Sequence, residues 1–76
     1  MKLNEVEIGH SYRVLSLNGE GKVKRRLRDM GVIKGTIINF HKVAPLGDPL
    51  QITLRGYELS LRKKDAEIIE VERVEE

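Results

Sequence analysis

The sequence predicts a mainly β domain, a small, partly open barrel of about five antiparallel strands carrying one α-helix. Three observations point there. Apolar residues recur with period two in several short segments, a single segment shows the period of a helix, and glycines punctuate the boundaries. Seventy-six residues hold one domain, residues 1–76. A chain of this length buries only about 60% of the surface it exposes when unfolded, so the core must close around few side chains. With no cysteine in the chain, neither disulfides nor a cysteine-rich zinc site can staple it.

Residues 3–8 suit a docked N-terminal turn, with Leu3 and Val6 spaced to face one side. Ser11 to Leu17 predicts a strand, Tyr12 and Val14 on one face and Arg13 on the other. Asn18-Gly19-Glu20-Gly21 is a turn cluster able to cap a helix. Val23, Leu27 and Met30 then fall at i, i+4 and i+7, one stripe of a helix of about three turns whose other faces carry cations. Gly31 suits a left-handed C-terminal cap. Thr36 to Val43 reads as a strand with Ile38 and Phe40 on one face, and Pro49 to Arg55 as another with Leu50, Ile52 and Leu54 on one side and Gln51, Thr53 and Arg55 on the other. Gly56 permits a tight turn into Tyr57 to Arg62, where Leu59 and Leu61 face in. Arg62 to Ala66 forms a short helical turn, and Glu67 to Val74 the last strand.

Short strands with no room for crossovers argue for a meander, and curling protects its edges. A barrel of SH3-like type fits best, with an OB-like barrel as runner-up. The net charge of +2 is uninformative, but its distribution is not. Lys22, Lys24, Arg25, Arg26 and Arg28 crowd the helix, whereas Glu67, Glu70, Glu72, Glu75 and Glu76 mark an acidic C-terminal edge.

Catalysis has no apparatus here. Only His10 and His41 could serve as neutral-pH bases, and no nucleophile elbow or phosphate-cradling loop is present. No cofactor is expected. For a metal, His10, His41 and Asp48 are the available ligands, with no spacing that links them. The N-terminus is too polar for a signal peptide and no apolar run reaches a membrane span, so a cytoplasmic protein is expected that inserts in no bilayer and reaches the membrane only through a partner.

The basic helix reads as a solvated face or as a docking surface for an acidic or polar partner. Nucleic acid is disfavoured, because Tyr12, Phe40 and Tyr57 are the only aromatics and Phe40 should be buried. The loop Ala44-Pro45-Leu46-Gly47-Asp48-Pro49 is longer than a simple hairpin needs and is stiffened by two prolines. Leu46 either folds back to cap the barrel or stands as an exposed apolar anchor. The expected partner surface is therefore Lys22, Arg25 and Arg26 with residues Ala44, Pro45, Leu46, Gly47, Asp48 and Pro49.

Arg25-Arg26-Leu27-Arg28-Asp29-Met30-Gly31, then Lys34-Gly35, then Ala44 to Pro49, and Leu59-Ser60-Leu61-Arg62 ending in Ala66 give a sequence that resembles the FeoA family in order and spacing over essentially its whole length. The resemblance implies an SH3-like barrel and a non-enzymatic accessory role beside the ferrous-iron transporter FeoB, docking on its cytoplasmic portion. With no helix-turn-helix ahead of it, a free-standing protein fits better than the C-terminal module of an iron-dependent repressor. The alternative is a regulatory module that binds nucleic acid or senses metal.

Overall fold

The computed structural model describes residues 1–19 and 21–74. Five strands, β1 (Ser11–Leu17), β2 (Ile37–Val43), β3 (Leu50–Leu54), β4 (Tyr57–Leu61) and β5 (Ile69–Arg73), form one antiparallel sheet in the order β4-β3-β2-β1-β5. Strands β1 to β4 run as the expected meander, with α1 (Gly21–Asp29) between β1 and β2. The chain then crosses through α2 (Lys63–Ala66) from β4 at one edge of the sheet to β5 at the other, beside β1, so the last strand departs from a simple meander. A 3-10 turn at Leu3–Glu5 precedes β1. Among the described residues no helix is long and apolar enough to cross a membrane.

The sheet curls because every strand turns one face onto the same core. Tyr12 and Val14 of β1, Ile38 and Phe40 of β2, Leu50, Ile52 and Leu54 of β3, Leu61 of β4, and Ile69 and Val71 of β5 are all buried together. Leu3, Leu27, Val32 and Ala66 close the core from the turn, the helices and the loop after α1. Leu59 and Met30, both expected inside, are only half buried. Leu59 sits on the edge strand β4, which has a neighbour on one side only, and Met30 falls one residue beyond the last turn of α1. Likewise β3 is shorter than the Pro49–Arg55 alternation suggests. Pro49 has no N–H to give to a ladder, and Arg55 (φ 49°) and Gly56 (φ 84°) already form the left-handed turn into β4.

Helix α1 ends as Gly31 predicts. Gly31 has φ 97°, its N–H donates to the Arg28 carbonyl at 3.0 Å, and the Val32 N–H donates to the Leu27 carbonyl at 2.9 Å. This is the Schellman pattern, in which Leu27 and Val32 also pack together within the core. At the start of α1, the expected capping cluster includes Glu20, which lies outside the described residues.

Two strands carry one residue more than their partners. Along β1 and β5, Val14 faces Val71 and Ser16 faces Glu70, so Leu15 is an unpaired extra residue. Along β2 and β3, Phe40 faces Ile52 and Lys42 faces Gln51, so His41 is the extra one. Such bulges shift the pairing by one residue and re-aim the extra side chain, while the inward residues on either side stay on the core face.

Candidate functional site: a braced loop beside a basic helix

The hairpin loop between β2 and β3 is built to hold its tip away from the body. The Gly47 N–H donates to the Ala44 carbonyl at 2.8 Å, a β-turn with Pro45 at its second position, where a fixed φ suits it. Gly47 follows with φ 90°, and the Ala44 N–H donates to the Pro49 carbonyl at 3.0 Å to close the base. The Asp48–Pro49 peptide bond is cis. Leu46 at the third turn position is 97% exposed. Of its two expected positions, the structure takes the exposed one. An isolated side chain so fully in water makes no contribution to the core, so nothing in the fold requires leucine there.

Asp48 and the cations of α1 meet at α2. The Asp48 carboxylate accepts a hydrogen bond from the Lys63 backbone N–H at 2.8 Å. That N–H is one of the unsatisfied donors at the start of α2, whose own N-terminal residue Arg62 supplies no side-chain cap. Asp48 is thus a cap delivered from 15 residues away in sequence. From the other side, Arg26 donates to Asp65 of α2 at 2.7 Å. The four-residue helix therefore braces both the loop and α1. Asp48, Pro49, Ser60 and Arg62 line a shallow depression of about 380 Å³ against the loop.

The five cations of α1 do not form one surface. At 100° per residue, Leu27 and Val23 face the core, Arg25 points directly away from it, Lys22 and Arg26 lie on the flank toward α2, and Lys24 and Arg28 on the opposite flank. The structure thus brings Arg26 and Asp48, of the expected partner residues, onto a common support. Lys22 and Arg25 share the exposed face above it. The acidic edge is less free than its charge suggests: Glu70 pairs with the Met1 α-ammonium and Glu72 with Arg13, each at 2.7 Å. Glu75 and Glu76 lie outside the described residues.

The histidines are held apart by their own partners. His10 Nδ1 takes a hydrogen bond from Arg73 at 3.0 Å, and His41, exposed in its bulge, bonds to the Thr53 hydroxyl. No group of three or more candidate metal ligands comes together among the described residues. Of the three aromatics only Tyr57, 43% exposed, lies at the surface, at the C-terminal end of α1. Tyr12 and Phe40 are in the core, and the Tyr57 hydroxyl donates to the Met30 carbonyl.

Comparison with known proteins agrees with this architecture. A FeoA-like protein from Clostridium acetobutylicum superimposes with a TM-score of 0.92 at 47% identity, over 100% of this chain and 88% of its own. FeoA of Stenotrophomonas maltophilia, solved with zinc and described as a prokaryotic SH3 domain protein, superimposes with a TM-score of 0.81 at 28% identity, over 95% of this chain and 89% of its own. An Fe(2+) transport protein A/Fe(2+) transporter FeoB fusion protein of Porphyromonas gingivalis is 36% identical over 72 residues, which is 95% of this chain but 8% of that protein. Residues 1–73 match the FeoA domain family, and the chain belongs to it.

Proposed function

We propose that the protein is an accessory component of ferrous-iron uptake that docks on the cytoplasmic portion of an FeoB-type transporter and modulates it by protein–protein contact. Leu46 carries this reading. A leucine held 97% exposed on a doubly hydrogen-bonded loop is preorganised as an anchor, because little ordering remains to be done when a partner covers it. Arg25, pointing away from the core beside Lys22, provides the charged rim that speeds encounter. The fusion of an A part with FeoB in the P. gingivalis relative supports the choice of partner. The lack of a stacking aromatic on the basic helix favours a protein partner over nucleic acid.

Surface plasmon resonance against the purified cytoplasmic portion of an FeoB-type transporter tests the docking. Leu46→Ala removes an anchor worth about 2 kcal/mol if it becomes buried, and so raises the dissociation rate more than tenfold. Arg25→Glu instead lowers the association rate and flattens its salt dependence. Unchanged kinetics for both variants would place the contact elsewhere. Iron uptake into vesicles carrying the reconstituted transporter, with wild-type protein and with Leu46→Ala, reads out the modulation.

A further inference from the structure

The bulge in β1 creates a second surface, on the flank of α1 away from the loop. Leu15, the extra residue, projects outward and is 37% exposed, close to Ile33 at 38% and the half-buried Leu17. These three aliphatic side chains floor a groove of about 310 Å³ whose rim is Lys24 and Arg28 from α1 and Lys34 from the loop before β2. Lys24 and Arg28 are i, i+4 neighbours and so present their charges side by side. Among the described residues no acidic side chain lines the groove and none of the three cations forms an ion pair. An aliphatic floor costs nothing to cover, whereas three adjacent like charges repel until an anion arrives.

We propose that this groove binds an acidic peptide segment of a partner protein, with one aliphatic side chain seated on Leu15, Leu17 and Ile33 and carboxylates facing Lys24, Arg28 and Lys34. The shape selects this occupant. The volume is at the lower end of ligand clefts, room for one or two side chains. A recess accepts a protruding anchor, whereas a bilayer surface is engaged by side chains that protrude from the protein. Nucleic acid would find cations but nothing to stack on, since no aromatic lines the groove. A second copy of this chain could offer its acidic strand β5, but Ile69 and Val71 of that strand are buried in its own core and cannot serve as the anchor. The groove is separate from the Leu46 loop, and the proposal holds whether or not that loop docks on a transporter.

The probe is a synthetic fluorescein-labelled peptide with a central Leu-Leu pair flanked on each side by Glu-Glu. Its binding to the full chain is measured by anisotropy and its position by amide shifts in ¹⁵N spectra. Expected are shifts at Leu15, Leu17, Ile33 and Lys34, affinity that falls with salt, and much weaker binding of the same peptide with glutamine for glutamate. Lys24→Glu combined with Arg28→Glu weakens binding at least about tenfold, and Leu15→Ser weakens it several-fold. The control pair Lys22→Glu and Arg25→Glu makes the same change of net charge on the other faces and has little effect. Thermal melts establish that each variant is folded, and Lys34→Glu provides a rim change outside the helix. Equal losses from the control pair would reduce the effect to unspecific charge attraction, and an unchanged affinity for Leu15→Ser would remove the seat; either overturns the proposal. So would binding to phosphatidylglycerol vesicles that is lost in the rim variants while the peptide fails to bind.

Discussion

The same truncation made at two leucines separates the core from the docking loop. Leu27 is 0% exposed and Leu46 is 97% exposed. Both are leucine, so alanine removes the same atoms in each. At Leu27 the deletion leaves a cavity beneath α1, between Val32 and the sheet, and such cavities cost about 2–5 kcal/mol. A domain of this size has a total stability of only about 4–11 kcal/mol at typical per-residue values. Each kcal/mol moves its melting temperature by about 4–8 °C, so Leu27→Ala should melt at least about 8 °C below the wild type. Helix propensity does not offset this, because alanine improves on leucine only slightly. At Leu46 no buried area is lost, and the effect should stay within about 0.5 kcal/mol. Thermal melts by circular dichroism, followed by urea titration to obtain the free energies, make the comparison. A wild-type melt for Leu27→Ala would mean that α1 packs on another face. A substantial loss for Leu46→Ala would mean that the loop lies against the barrel in solution, and any loss of docking would then be a consequence of unfolding.

Asp48→Ala should cost about 0.5–2 kcal/mol by leaving the Lys63 N–H without its cap, and Asp48→Asn should recover most of that; hydrogen exchange at α2 should accelerate in the alanine variant. Gly31→Ala forces a side chain into φ 97° with its Cβ 3.2 Å from the Tyr57 hydroxyl and 3.4 Å from Leu54, so it should destabilise by more than about 1 kcal/mol, read from the same melts. Purified protein should show no stoichiometric micromolar binding of ferrous iron in anaerobic calorimetry, because His10, His41 and Asp48 do not converge; such binding, abolished by His41→Ala, would overturn that expectation.

Alternation and glycine placement made most of the sheet legible. Leu50, Ile52 and Leu54 announce β3 in five residues, and Gly31 marks the left-handed cap that follows α1. What escaped depends on neighbours distant in sequence. An extra residue in a strand has no local signature, since only the register of β5 makes Leu15 unpaired and only that of β3 does so for His41. Leu59 is half exposed while Leu61, two residues on in the same edge strand and on the same face, is buried, a difference that alternation alone does not carry. On the helix, spacing identified the core stripe but treated the cations as one set. Their division into a loop-side flank and a groove-side flank follows from which elements pack against α1. Asp48 was legible as a loop carboxylate. Its use as the cap of α2 was not, because the donor it serves is fifteen residues downstream.

The bulge makes Leu15, one of the three side chains on the floor of the groove, a one-residue insertion into an otherwise regular ladder. Val14 opposite Val71, Ser16 opposite Glu70 and Leu17 opposite Ile69 would alternate in, out and in without it. Deleting Leu15 would therefore leave every inward side chain of β1 on its present face, whereas deleting any residue from an unbulged strand would turn its remaining side chains inside out. The aliphatic seat and the hydrophobic core are consequently separable in heredity. Loss of a single codon would remove Leu15 from the seat while keeping the core.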